Sequence, residues 1–204
     1  MIKKKCTALF CLLSLILISA AGCSSGGGSA STSQTAGSQP ISQEQTPGSA
    51  ALPSISYYFP RAGQRADLEL IDVINSADNS LDIAIYSLTK TNIVNAIVGA
   101  EKRGVTVRII TDREESSYKA QEKELNILSR AGVPIKINSH PGLMHLKVTI
   151  ADDSTITTGS YNYTNEATYD NDEVLVIIHS PSMARDWDSE FQRMWDDTAD
   201  YENY

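Results

Sequence analysis

The chain has 204 residues, of which 41% are hydrophobic, and its formal net charge is −8. This length is sufficient for one domain with a sizeable hydrophobic core. An acidic chain lacks the overall positive charge that nucleic-acid-binding proteins usually carry. All three cysteines fall within the first 23 residues, which excludes a disulfide framework in the remainder of the chain.

The first 22 residues have the pattern of an export signal. Residues 3–5 are lysines, and the apolar stretch at residues 9–18 is too short for a comfortable transmembrane helix. Residues 20–23, Ala-Ala-Gly-Cys, resemble the lipobox of bacterial lipoproteins, although Ala20 departs from the usual Leu. The resemblance implies a signal peptide at residues 1–22, lipidation of Cys23 and a membrane-anchored lipoprotein of the bacterial cell envelope, outside the cytoplasm. The alternative is an ordinary signal peptide with a chance cysteine.

Residues 23–53 consist of this cysteine and a stretch rich in Ser, Gly, Thr and Gln. The stretch has almost no large apolar residue, so it buries too little surface to offset the entropy lost on ordering. We expect it to be a flexible tether that holds the rest of the chain away from a membrane. The folded domain is therefore predicted at residues 54–204.

Hydrophobic periodicity in this domain alternates between strand and helix patterns. Strands are predicted at residues 55–59, 81–86, 105–110, 133–137 and 172–178, and helices at residues 61–77, 91–103, 118–131 and from Ser180 onward. Because strands and helices alternate over the first half, we expect an α/β fold with a mixed, mostly parallel β-sheet flanked by helices on both faces. Trp187, Phe191, Met194 and Trp195 recur at helical spacing, which favours a core stripe over a ligand site.

Residues 145–162 carry the pattern H-x-K-x4-D-x6-G-S-x-N, which is predicted to form a β-hairpin. On a strand, His145 and Lys147 point to the same face, whereas Leu146 and Val148 point the other way, into a core. Ser160 and an asparagine two residues later also share a face. If the hairpin pairs in this way, the four polar side chains gather around one tetrahedral anion.

This pattern resembles the HKD signature of the phospholipase D superfamily, and every signature position is present. The resemblance extends from Ile55 to about Trp195, and it is strongest to the small bacterial endonucleases that carry one motif per chain. It implies a phospholipase D-like catalytic domain that cleaves phosphodiesters through a covalent phosphohistidine, without a metal or other cofactor. A nonspecific alternative is a β-hairpin with a surface histidine and lysine.

In the implied mechanism, His145 is the nucleophile, and Lys147, Ser160 and Asn162 bind the non-bridging phosphate oxygens. Glu173 matches the glutamate that holds the catalytic histidine in the single-motif nucleases; otherwise it is a solvated carboxylate at a strand edge. Asp152 belongs to the catalytic signature, but it lies at the far end of its strand, so we expect it to stabilise the hairpin.

One motif supplies only one histidine, whereas the leaving group needs a second acid. His140 and His179 remain, but a surface turn and a helix flank are the expected settings for them. A two-fold homodimer instead brings two copies of His145 to one phosphate, because an isologous interface repeats every contact. We therefore expect a homodimer with a shared active site.

The charge of the chain is unevenly distributed. Residues 90–147 contain ten basic and six acidic residues, whereas residues 183–204 contain two basic and seven acidic residues. The basic residues that are candidates to line a cleft for nucleic acid are Arg103, Arg108, Arg113 and Lys119, although a solvated face is equally compatible with this pattern. Three functions remain open: a nuclease that prefers DNA to RNA, a phospholipase D that acts on membrane head groups, and a non-catalytic binding lipoprotein.

Overall fold

The computed structural model describes residues 52–204. Its strands are β1 (Ser54–Tyr58), β2 (Ser80–Ile85), β3 (Thr106–Thr111), β4 (Ile135–Asn138), β5 (Lys147–Ala151), β6 (Thr155–Gly159), β7 (Leu175–His179) and β8 (Tyr201–Asn203). These strands form one sheet in the order β1-β7-β6-β5-β2-β3-β4-β8. The predicted signal peptide, Cys23 and nearly all of the predicted tether lie outside the described residues, so they remain predictions.

Helices cover both faces of this sheet. They are α1 (Ala66–Ser76), α2 (Thr91–Arg103), α3 (Arg113–Ser117), α4 (Lys119–Arg130), α5 (Asn165–Tyr169) and α6 (Pro181–Asp196). Apolar residues of α1, α2 and α4 share one core with the sheet, and α6 forms a second core on the opposite face. Phe191 and Met194 are buried in the second core, and Trp187 and Trp195 pack against it, which confirms the predicted core stripe. No helix within residues 52–204 is both long and apolar enough to cross a membrane.

The predicted α/β class and mixed sheet are confirmed, but the expectation of a mostly parallel sheet was wrong. Only β2–β3 and β3–β4 pair in parallel, because α2 and α4 provide the crossovers that parallel neighbours need. The other five pairings, β1–β7, β7–β6, β6–β5, β5–β2 and β4–β8, are antiparallel. A three-residue turn reverses the chain between β5 and β6, and a longer connection that contains α5 reverses it again before β7.

Two predicted elements are also shorter than expected. The helix predicted at residues 61–77 is a 3-10 turn, Pro60–Ala62, followed by α1, because Gly63 adopts a left-handed φ of 83° that interrupts a helix. The strand predicted at residues 172–178 begins only at Leu175, so Glu173 precedes the strand. Both differences lie at element ends, where local propensity is weakest.

Several strands begin or end close together along one edge of the sheet, the edge formed by strand ends rather than by an outer strand. The end of β2 pairs with the start of β5, since Ile85 lies opposite Lys147. The end of β6 pairs with the start of β7, since Gly159 lies opposite Leu175, and the end of β1 reaches the same residue through Tyr58. The edge therefore collects the first residues of β5 and the residues that immediately follow β6, which are the two ends of the signature.

Asp152 lies in the turn between β5 and β6, at the opposite end of these strands, and stabilises that turn. Its carboxylate accepts hydrogen bonds from the backbone N–H groups of Asp78, Asn79 and Ser80 at 2.8, 2.7 and 2.9 Å. Asp152 and Asp153 both adopt left-handed φ values, 52° and 48°, which a tight hairpin turn requires. Asp152 thus joins the hairpin to the loop before β2, and it does not reach the other signature residues.

Replacing Asp152 with alanine is expected to lower the free energy of unfolding by about 2 kcal/mol, because three backbone donors lose their acceptor. Asp153→Ala is the matched control: it introduces the same alanine strain at a left-handed φ but removes an exposed side chain. Urea unfolding of both variants measures the difference. An Asp152→Ala loss no larger than the control loss would contradict this role.

Protonation of the Asp152 carboxylate should lower the free energy of unfolding, as Asp152→Ala does. Burial raises the pKa of Asp152, but the three backbone hydrogen bonds outweigh it and lower the pKa below its ordinary value. Because the folded-state pKa is depressed, the stabilisation is fully present above the unfolded-state pKa of about 3.9. It is lost as the pH falls through the folded-state pKa.

Candidate active site

The edge where these strand ends meet contains a pocket of about 370 Å³. Its lining residues are His145, Lys147, Gly159, Ser160, Asn162 and Glu173. Five of the six belong to the signature. They lie at the open end of one hairpin, around the start of β5 and the end of β6. The sequence therefore predicted the convergence of His145, Lys147, Ser160 and Asn162, and the structure brings these four residues together.

His145 lies immediately before β5, and its side chain is exposed in the pocket. The Leu146 carbonyl accepts a hydrogen bond of 2.9 Å from the Tyr86 N–H, which holds this segment beside the end of β2. Val148 is buried as predicted, at 6% exposure. Leu146, predicted to enter a core, is instead 41% exposed, because it lines an open groove beside α6 rather than a closed core.

Lys147 is largely buried, with 7% of its surface exposed. Its ammonium donates a 2.9 Å hydrogen bond to the carbonyl oxygen of His145. Burial lowers the pKa of Lys147, and the carboxylates of Glu173 and Glu115 partly oppose that shift. An ammonium with little competing water attracts a phosphate oxygen more strongly than an exposed lysine does.

Tyr86 is a site residue that the sequence interpretation assigned only to a strand. Its ring centroid lies 4.6 Å from that of the His145 imidazole and 4.8 Å from the Lys147 ammonium, a distance typical of cation–π contacts. Burial, followed by the nearby Glu115 carboxylate, raises the pKa of Tyr86 to about 12. The hydroxyl therefore stays protonated at neutral pH. The available signal was its position directly after a buried strand.

Gly159 and Ser160 fix the other end of the hairpin. Gly159 has a φ of 131°, and a Cβ there would collide with the carbonyl oxygen of Val174. The Ser160 N–H donates to that carbonyl at 3.1 Å, and the Ser160 Oγ accepts from the Val174 N–H at 3.1 Å. Because the hydroxyl accepts this bond, its own proton is available to a bound phosphate.

Gly159→Ala is expected to destabilise the fold by about 3 kcal/mol, since the new methyl group collides with backbone rather than with a movable side chain. Thermal unfolding would show this, with Gly63→Ala as the control for backbone strain alone. Gly63 also has a positive φ, 83°, but no atom lies within 4 Å of its added Cβ. Equal stability of the two variants would rule out the predicted collision.

Asn162 and Glu173 complete the pocket. The Asn162 Oδ1 is buried and has no hydrogen-bond partner within residues 52–204, and the side chain forms part of the lining. The Glu173 carboxylate accepts a 3.3 Å hydrogen bond from the Asn171 amide. Glu173 and His145 line the same pocket, but no hydrogen bond joins them in the described part of the chain. The predicted orienting contact therefore remains a prediction.

The other two histidines lie outside this pocket. His179 ends β7, and its Nδ1 lies 3.0 Å from the Thr155 Oγ1 at the opposite end of the hairpin. His140 lies in the loop before the signature and packs edge-on against Tyr201, with ring centroids 5.7 Å apart. Neither residue is placed to donate a proton at the pocket within one chain.

The sequence left open whether four basic residues line a cleft or lie on a solvated face, and their positions do not favour a cleft. Arg103 donates to the carbonyl groups at the end of α1, Arg108 pairs with Asp82 at 2.7 Å, and the Arg113 side chain reaches Glu202 and the Asn138 carbonyl. Lys119 is exposed at the start of α4. None of the four lines the pocket, because three of these charges hold elements of the fold together.

Comparison with known proteins identifies the family. Residues 70–195 match the family described as cardiolipin synthase, PLD-like domain. The chain belongs to this phospholipase D-like family. It is 29% identical over 134 residues to human mitochondrial cardiolipin hydrolase, covering 66% of this chain and 52% of that protein. It is 35% identical over 114 residues to phospholipase D of Rickettsia conorii, covering 56% of each protein. The phospholipase D-like chain thus spans about half the length of these relatives.

Solved structures agree with this assignment. Nuc, a phospholipase D family member from Salmonella typhimurium, superimposes with a TM-score of 0.70 at 31% identity, covering 75% of this chain and 99% of that one. NucT from Helicobacter pylori superimposes with a TM-score of 0.66 at 29% identity, covering 71% of this chain and 96% of that one. The predicted superfamily, its single-motif subgroup and the fold are therefore confirmed, and the family assignment supports the predicted enzyme class, a phosphodiesterase.

Proposed function

We propose that this phospholipase D-like protein is a metal-independent phosphodiesterase that hydrolyses nucleic acid through a phosphohistidine intermediate, with DNA preferred to RNA. The observation that carries this proposal is the convergence of His145, Lys147, Ser160 and Asn162 in one pocket. An imidazole, a buried ammonium, a hydroxyl and an amide are the groups that attack on a phosphodiester requires when no metal takes part.

In the first step, a ring nitrogen of neutral His145 attacks phosphorus. A P–N bond forms and the P–O bond to the leaving alcohol breaks. Negative charge accumulates on the non-bridging oxygens during this step. It is stabilised by the Lys147 ammonium and by hydrogen bonds from Ser160 and Asn162. Glu173 is proposed to hold the other ring nitrogen once substrate is bound, which makes the attacking nitrogen a better nucleophile.

In the second step, water attacks phosphorus, the P–N bond breaks, and His145 is regenerated. The leaving alcohol needs a proton in the first step, and the attacking water loses one in the second. We propose that His145 of a second copy performs both transfers in turn, since an acid that has donated its proton is then a base. The active unit is therefore a two-fold homodimer with a shared active site.

An apolar groove of about 410 Å³ supports this assembly. It lies between α6 and the sheet, and its lining residues are Ala84, Leu146, Val148, Asp186, Trp187, Glu190, Phe191 and Met194. The exposed Leu146 lies between the two catalytic residues His145 and Lys147 in the chain. A second copy that covers this groove would therefore contact the segment that carries the two catalytic residues, and it would remove apolar surface from water.

The character of the pocket favours nucleic acid over lipid. All six lining residues are polar or glycine, so the pocket presents charged and hydrogen-bonding groups, which suit a phosphodiester backbone. The chain also covers nearly the whole of Nuc. Hydrolysis of phospholipid head groups is the second candidate, because relatives bear the names phospholipase D and cardiolipin hydrolase. An intact pocket gives no support to a non-catalytic binding lipoprotein.

We further propose that Cys23 carries the lipid and anchors the enzyme in the bacterial cell envelope.

The substrate test uses the full chain with Cys23→Ser, so that lipid does not confound the assay, in excess EDTA. Single-stranded and double-stranded oligonucleotides are compared with phospholipid vesicles. Cleavage of oligonucleotides but not lipid is the expected result. Head-group release without oligonucleotide cleavage would replace the nuclease with the second candidate.

A further inference from the structure

A second cavity, of about 260 Å³, adjoins the catalytic pocket. Its lining residues are Phe59, Arg61, Ser160, Asp172, Glu173 and Val174. Ser160 and Glu173 line both spaces. A group attached directly to a phosphate in the catalytic pocket would therefore extend into this cavity.

Phe59 forms the aromatic wall of the cavity, with 45% of its surface exposed. The ring has an aromatic neighbour, and the backbone beside it is fixed. Tyr57 contacts it edge-on, with centroids 5.6 Å apart and an interplanar angle of 60°. The Phe59 N–H donates to the Gln64 Oε1 at 2.6 Å, and the buried Pro60 follows it. An exposed aromatic ring offers a flat face on which another ring can stack.

The remaining lining residues are mostly polar, and they include the Arg61 guanidinium and the Asp172 carboxylate beside Val174. The Asp172 side chain is 96% exposed, and its Oδ1 lies 3.9 Å from the Arg61 Nε, too far for a strong pair. A carboxylate repels a phosphate group and gains nothing from an acyl chain. It does accept hydrogen bonds from the amino groups of nucleic acid bases, such as N4 of cytosine. An aromatic face beside such an acceptor suits a base.

We propose that this cavity is a subsite for the base of the nucleotide next to the scissile phosphate, stacked on Phe59 with its edge towards Asp172. The proposal rests on the nuclease function proposed above and specifies its substrate. A base in a duplex has both faces covered by its neighbours, so only an unpaired base enters this site without unstacking. The substrate class is therefore single-stranded nucleic acid, and bases with an exocyclic amino group bind better than thymine.

Phe59→Ala tests the subsite in the full chain carrying Cys23→Ser. The substrates are a fluorescent oligodeoxycytidine and the same backbone built from abasic units. Stacking on an aromatic ring contributes enough that KM for the normal oligonucleotide should rise roughly tenfold, with kcat little changed. Activity on the abasic substrate should equal that of the parent, because it has no base to lose. Phe59→Trp should restore KM.

Tyr204→Ala is the matched control, since Tyr204 is also an exposed aromatic residue, at 42%. It follows β8, which is the outer strand on the other side of the sheet from β1. An unchanged KM in Phe59→Ala would overturn the subsite while leaving the nuclease intact. An equal loss on the normal and abasic substrates would also overturn it, because Phe59 would then act only through the fold. A parent protein that cleaves no nucleic acid would overturn both proposals, and a Phe59→Ala defect confined to phospholipid vesicles would assign the cavity to lipid.

Discussion

His145→Ala is expected to lower phosphodiester hydrolysis at least roughly a thousandfold, because the proposed phosphohistidine intermediate cannot form without the imidazole. The assay contains excess EDTA, which the proposed chemistry tolerates. The variant should fold normally, since His145 is exposed and its side chain forms no hydrogen bond within residues 52–204.

His140→Ala and His179→Ala are the matched controls for this substitution. Both remove a histidine near the end of an element, and neither residue lines the catalytic pocket. They should retain most of the activity. Residual activity above about a tenth in His145→Ala would show that another group attacks phosphorus, since loss of a true nucleophile costs far more.

Trp187→Asp is expected to dissociate the homodimer and lower the specific activity about a hundredfold, a typical contribution of general acid–base catalysis. Trp187 lines the apolar groove, so a carboxylate there would be buried without a partner in the assembled protein. Sedimentation velocity gives the oligomeric state. Specific activity is measured across a range of protein concentrations, because raising the concentration should partly restore activity.

Trp195→Asp is the control for loss of packing alone. Trp195 is half-buried on the same helix and stacks on Phe191, but it does not line the groove. This variant should be less stable yet remain dimeric and active when folded. A monomeric Trp187→Asp protein with full activity per chain would contradict the shared active site.

The sequence predicted the catalytic pocket better than it predicted the sheet. The alternation of side chains along a strand brings His145 and Lys147 to one face, and a tight hairpin brings Ser160 beside them. These are local relationships, so spacing alone determines them. Strand direction depends on connections between distant elements, and the parallel expectation was wrong for most of the sheet.

The charged residues show why charge counts predict function poorly. Arg108 reads as a basic residue in a basic region, but its guanidinium is bound to Asp82, which is far from it in sequence. The same limit hid Tyr86, whose contact with His145 depends on the pairing of β2 with β5. In both cases the sequence showed the residue type and its position in the chain, but it did not show which distant residue the side chain contacts.

Trapping the covalent intermediate tests the central claim most directly. The full chain carrying Cys23→Ser is mixed with a single-stranded oligonucleotide and quenched in alkaline detergent, in which a P–N bond survives. Peptide mass spectrometry then locates the adduct. The account predicts a nucleotide joined to His145 through a phosphoramidate P–N bond, which disappears after a chase and never forms in His145→Ala. Turnover without any adduct, or an adduct on another residue, would contradict the account.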